Sequence, residues 1–295
     1  MTIELKRGVR YRMPVVFGPA PGPRQKADGT PWTAEESGTM NAQWLTINYL
    51  THPASIDRIL PPGFNLRGEP IMSVSLAFFN NLYWLAGRGY GIVMVELPVT
   101  YRGRTETIEG RFCPVMWEGI ADAIMTGREE LGFPKLFADI PPMRGSAAAG
   151  AASGEASWFG HRFCSIEARG LKQVAGEKGL PGAAGAQMFY KYMPRTSIGG
   201  REGADVQYVT TSLDPPGHGQ EVSSIDFSKS QFRKWTGEGS LAWHRATFQQ
   251  LPTTFHIVNG MADIEILQYL PAEMIEFSGP GIGVATNRQR AVDPA

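Results

Sequence analysis

A lysine set between a proline and an apolar run has more chemistry to offer than any other residue of this chain. In Gly127-Arg128-Glu129-Glu130-Leu131-Gly132-Phe133-Pro134-Lys135 a helix is expected to stop, a rigid Phe-Pro pair follows, and Lys135 opens the next strand. Pro134 fixes its own φ and holds Phe133 extended, which constrains the direction of the lysine. Its sequence neighbours Leu131, Phe133, Leu136 and Phe137 offer little to solvate an ammonium. A buried lysine either finds a carboxylate or loses its proton. Neutrality near pH 7 requires a pKa of about 10.4 to fall by roughly three units, and desolvation alone supplies shifts of about 3 to 5 units. The neutral amine attacks a ketone, and the protonated imine withdraws electrons from the adjacent carbon. That electron sink serves decarboxylation of a 3-oxo acid, and equally aldol addition, retro-aldol cleavage or dehydration. The competing structural reading is a strand-end lysine whose stem packs while its charge reaches water.

Other side chains are weighed as helpers. Glu96, in GIVMVELPV, shares one strand face with Met94 and Pro98, opposite Val95 and Leu97. Pointing inward, its carboxyl would have a raised pKa and suit a general acid or base; pointing outward, it is solvated. Arg128 and Glu129 read as a helix-end ion pair supporting the turn, with Glu129 also able to orient a water or a substrate hydroxyl. Glu118 reads as the opening of a helix, where its charge suits the positive end of the dipole. Phe133, Met116 and Trp117 are either walls of a substrate pocket or plain core, with Phe133 foremost because it lies two residues before the lysine. The five histidines are scattered, without metal-ligand spacing, so no metal is implied. GPGIG lacks the strand-turn-helix setting of a dinucleotide site, G-x-S-x-G is absent, and no cofactor is expected.

The elements that must position these residues are mostly strands. IMSVSLAFF at 71 to 79 and GIVMVELPVTY at 91 to 101 are dense in apolar and β-branched residues. Further strands are expected at KLFADI and near 155 to 169, 187 to 194, 205 to 212, 220 to 227, 241 to 248 and 272 to 277. The clearest helix is expected where Trp117, Ile120, Ala121, Ile124, Arg128 and Leu131 recur at 3.6-residue spacing, with Gly132 ending it and Pro134 forbidding its return. THPASIDRILPPG reads as a short helix begun by Pro53, and QLPTTFHIVNGMADI has room for another. GSAAAGAASG at 145 to 154 reads as a loop between two antiparallel strands. Many strands and few helices predict a mainly β, antiparallel barrel or cone with a few covering helices. The expected division is an extended arm over 1 to 40, one barrel domain over 41 to 277 and a loosely ordered tail over 278 to 295.

GRE-x-x-G-F-P-K resembles the signature surrounding the Schiff-base lysine of acetoacetate decarboxylases, and Lys135 falls on that lysine. The resemblance extends over about residues 40 to 277, through the strand-rich run from 71 to 118, the Phe189–Pro194 strand, Lys234-Trp235-Thr236-Gly237 and Leu270-Pro271-Ala272-Glu273. It implies that family's fold, a homo-oligomer, and a lyase that uses Lys135 on a small oxo acid such as acetoacetate. Activation of the lysine by a depressed pKa is a known property of acetoacetate decarboxylase and is carried over with the resemblance. Three positions depart from the family. The second lysine that follows the nucleophile is Leu136, the pocket glutamate falls on Ile92 with Glu96 the nearest carboxylate, and an arginine before the first core strand falls on Ala42. The imine is therefore expected, and acetoacetate as the substrate is open. The first alternative is an imine-dependent aldolase or dehydratase using Glu96; the second is a non-catalytic barrel for an apolar ligand.

Bulk properties narrow the field. The 295 residues carry 28 basic and 28 acidic side chains, so formal net charge is zero, which argues against a nucleic-acid partner. No apolar run approaches the roughly 18 residues of a membrane span, and the N-terminus lacks the apolar core of a signal peptide. Cys113 and Cys164 sit in apolar stretches as expected buried free thiols, and a cytoplasmic setting fits them.

Overall fold

The computed structural model describes residues 5–175, 185–197, 203–212, 230–281 and 289–293. Among these, the apolar runs become fifteen strands: β1 (Thr39–Leu50), β2 (Phe64–Leu66), β3 (Ile71–Leu82), β4 (Arg88–Arg102), β5 (Thr107–Glu118), β6 (Lys135–Phe137), β7 (Arg144–Ser146), β8 (Ala151–Trp158), β9 (His161–Val174), β10 (Ala186–Pro194), β11 (Ala204–Thr211), β12 (Gln231–Trp243), β13 (Gln268–Tyr269), β14 (Ala272–Pro280) and β15 (Arg290–Val292). The α-helices are short: α1 (Ala34–Ser37), α2 (Pro53–Asp57), α3 (Ala121–Thr126) and α4 (Phe255–Ala262). No described helix is long and apolar enough to cross a membrane.

The strands form one sheet in the order β15-β11-β10-β5-β4-β3-β1-β14-β12-β9-β8-β7, with β13, β2 and β6 added beside β1, β4 and β5. The mainly β expectation holds. Among the described residues the antiparallel barrel is not closed, because β15 and β7 end the path without pairing with each other, and two strands run parallel to β5. Gly110, Arg111 and Phe112 of β5 face β10, while Met116, Trp117 and Glu118 face β6. Pro114 stands between these two stretches and has no N–H to give to either. The parallel pairing of β6 follows from the crossover through α3, which returns the chain beside β5 in the same direction.

The long helix expected from Trp117 splits into three parts. Trp117 and Glu118 end β5, α3 begins at Ala121, and a π-helical turn covers Gly127–Leu131. Gly132, at φ +81°, ends the helical segment. The stretch 155 to 169 is a hairpin of β8 and β9 and not one strand, while β12 stops at Trp243, short of 248. KLFADI yields only the short β6. Ser278, Gly279 and Pro280 continue β14 by pairing with Asn41, Met40 and Thr39, and β15 pairs with β11, so part of the expected loose tail is sheet. The strand expected at 220 to 227 lies outside the described residues.

Alternation along β4 creates the setting of the site. Val93, Val95, Leu97 and Val99 join the larger apolar core, while Ile92 and Met94 point into a second, smaller cluster on the other face. Cys113 and Cys164 are both buried and free.

Candidate active site

Lys135 is only 6% exposed, although it begins a strand. Its backbone is fixed on both sides. Met116 N donates to Pro134 O at 3.1 Å, which sets Met116 opposite Lys135 in the parallel pair. Arg128 Nη1 donates to Lys135 O at 2.9 Å, so Arg128 anchors the start of β6. The amine then lies 2.8 Å from Glu118 Oε1, donates to Ala123 O at 3.0 Å, and sits 5.1 Å from the centre of the Phe133 ring. Gly127 makes room for it: a Cβ at that position would stand 2.4 Å from Lys135 Cε and 2.6 Å from Nζ.

Glu118 is the residue whose role the sequence misplaced. It does not open a helix; it closes β5, 2% exposed, with Oε1 on the lysine. Burial pushes the Lys135 pKa down, the Glu118 charge partly restores it, and the Arg24 cation lowers it further. Burial pushes the Glu118 carboxyl up, opposed by Lys135. Both shifts draw the proton affinities of the two groups closer together than those of a free lysine and a free glutamate. The two groups stand within proton-transfer distance of one another. Glu118 Oε2 is buried and has no hydrogen-bond partner among the described residues.

Around the amine, Met116, Phe133 and Ile92 share the smaller apolar cluster with Trp44, Met94, Cys113, Leu131 and Phe189. Phe133 packs on Phe189 with ring centres 4.1 Å apart. Trp117 does not belong to this wall. It alternates to the other face, packing 5.4 Å from Phe163 and 5.6 Å from Trp243 in the larger core. Glu96 points inward and is buried, but its partners lie elsewhere: Arg111 Nε is 3.4 Å from Oε2, and Gln187 Nε2 donates to Oε1 at 3.1 Å. Burial raises its pKa against the pull of Arg111. Glu129 contributes its backbone oxygen to Lys191 Nζ at 2.6 Å. Among the described residues no three His, Cys, Asp or Glu side chains gather as a metal site would require.

A family model described as acetoacetate decarboxylase matches residues 13–279. The chain belongs to the acetoacetate decarboxylase family. Solved structures of that fold are distant in sequence. An acetoacetate decarboxylase from Legionella pneumophila is 18% identical, with 88% of each chain covered and a TM-score of 0.61. The enduracididine biosynthesis enzyme MppR, complexed with pyruvate, is 17% identical over 81% of this chain and 86% of its own, at a TM-score of 0.57. An acetoacetate decarboxylase-like enzyme from Sphingomonas wittichii RW1 is 16% identical over 81% and 88%, at 0.55. No curated protein sequence matches the chain.

Leu136, where the resemblance implies a second lysine, packs against the larger core. Ile92, which the resemblance sets against a pocket glutamate, lies directly opposite Glu118 in the β4–β5 register. A carboxylate is present, one strand away from where the resemblance places it. Ala42, where the resemblance implies an arginine, is buried beside Met40, Leu82 and Phe277.

Proposed function

We propose that the protein is a lyase that forms an imine between Lys135 and the ketone of a small oxo acid. Family membership supports the class, and the observation that carries the reading is the buried Lys135–Glu118 pair beside an apolar cluster. Lys135 gives a proton to Glu118 and its free amine adds to the carbonyl carbon. Glu118 returns that proton to the carbinolamine oxygen, which leaves as water, and a cationic imine remains. Breaking a bond to the neighbouring carbon sends its electron pair to the imine nitrogen and yields a neutral enamine. Phe133 and Met116 exclude water from this step, which strengthens the influence of each nearby charge. Glu118 takes the proton-transfer role assigned to Glu96 by the sequence, because it is the carboxylate that touches the amine.

The test is product formation followed by NMR, with labelled acetoacetate and, separately, with pyruvate plus an aldehyde. Turnover of either by the wild type, and none by a folded Lys135→Met variant, is the expected result. Equal turnover by that variant would overturn the reading. The double variant Lys135→Met/Glu118→Gln removes both buried charges and serves as the control should the single variant be unstable.

A further inference from the structure

The N-terminal arm brings three guanidinium groups onto one carboxylate at the edge of the site. Arg24 Nε donates to Glu130 Oε2 at 3.0 Å, and Arg24 Nη2 lies 2.9 Å from the same oxygen. Arg12 Nη1 stands 3.1 Å from Glu130 Oε1, and Arg10 Nη1 stands 3.4 Å from Oε2. The Arg24 side chain is only 6% exposed. Buried cations are ordinarily matched by anions, and here one carboxylate faces the largely buried Arg24 and Arg12 together with the exposed Arg10.

The cluster adjoins the lysine. Arg24 Nη2 also donates to Thr126 Oγ1. Thr126 precedes Gly127, the residue against which the Lys135 stem lies. The arm that carries these arginines is itself held in place. Gln25 exchanges bonds with the Arg10 backbone, Trp32 Nε1 donates to Gly22 O at 2.8 Å, and the Tyr83 hydroxyl donates to Pro23 O at 2.5 Å. The guanidinium pair is therefore pre-oriented. The hydrogen bonds of Arg24 to Glu130 and Thr126 come from Nε and Nη2.

We propose that the arm supplies the substrate's carboxylate site, in which Arg24, assisted by Arg12, holds the carboxylate of a small 2-oxo acid while its carbonyl carbon meets Lys135. The assignment rests on the imine reading above and narrows it to substrates that keep their carboxylate. Decarboxylation removes the carboxylate charge on the way to the transition state. Arginines bound to that charge stabilise the ground state more, and so slow the step. A retained carboxylate has no such conflict: the 2-oxo acid forms its imine, C3 loses a proton to the Glu118 carboxylate, and an enamine results.

Calorimetry with oxamate reads this site without covalent chemistry, since oxamate copies a 2-oxo acid but carries an amide in place of the ketone. The wild type should bind it, and Arg24→Gln and Arg12→Gln should each weaken binding roughly 10- to 100-fold. Arg24→Lys, which keeps the charge and loses the fork, serves if the glutamine variant does not fold. Unchanged oxamate affinity in a folded Arg24 variant, or no binding to the wild type, overturns the proposal. Exchange of the pyruvate methyl protons in deuterated water reports the imine separately. Exchange together with Arg24-independent oxamate binding removes the arm site and leaves the imine. Arg24-dependent oxamate binding without exchange removes the imine and leaves the arm site.

Discussion

The chemistry of the site turns on where one proton resides between Lys135 and Glu118. Removing the carboxylate charge while keeping its shape, as in Glu118→Gln, takes away the group that holds the Lys135 pKa up. The amine of that variant should become reactive at lower pH than the wild-type amine, which itself titrates below the ordinary lysine range. Competitive acetylation across pH, resolved by peptide mapping, gives both midpoints. Lys135→Met leaves the opposite imbalance, a buried carboxylate without its cation. A carboxyl whose folded pKa is raised contributes stability below its unfolded pKa, and that contribution is lost as pH rises through the folded value. The variant should therefore melt close to the wild type near pH 4 and lose about 3–5 kcal/mol at pH 8, measured by denaturant titration at each pH. Gly127→Ala acts on the amine alone. Its φ of −70° suits alanine, but the new Cβ would overlap the Lys135 stem, so imine formation should fall more than tenfold at a stability cost of about 1–3 kcal/mol. Lys135 stood out in the sequence through the likeness of GRE-x-x-G-F-P-K to the family signature, since a proline before it and apolar neighbours around it fit a strand-end lysine equally well. Glu118 did not, because the spacing of Trp117, Ile120 and Ile124 mimics a helix, and its partner is fixed only by strand pairing.

At the level of elements, the amine is aimed by a short crossover: β5, α3, the π-helical turn and β6. Gly132 closes that crossover in the left-handed region, with Lys191 Cβ 2.9 Å and Thr210 Cγ2 3.0 Å from where a Cβ would be. Gly132→Ala meets backbone strain and contact together, and should cost about 1–3 kcal/mol, lowering the melting temperature by several degrees in calorimetry. Gly132 as a helix stop could be read directly, since glycine past the last periodic residue carries a conformational reason. The parallel pairing of β6 and β10 along one edge of β5 could not. Strand direction depends on contacts distant in sequence, and an apolar run reads the same in either orientation. The hairpin of β8 and β9 was hidden for a related reason: apolar alternation continues up to the turn at Phe159 and Gly160, where φ is positive at both residues.

Across the whole molecule, one open sheet carries apolar cores on both faces, and the smaller core holds the lysine. The mainly β class followed from the number of apolar runs, whereas closure into a barrel is a property of the two edge strands, which no local pattern encodes. The arm was read as a surface segment from its Gly and Pro content; that its arginines meet Glu130 is a long-range contact invisible to composition. Covalent capture at Lys135 tests the imine most directly. Protein incubated with pyruvate, and separately with acetoacetate, would be reduced with borohydride and read by intact mass and peptide mapping. The expected result is a mass increase with at least one of these acids, confined to the Lys135 peptide and absent from Lys135→Met. Folded protein that gains no mass with either acid, or gains it at another lysine, would contradict the account.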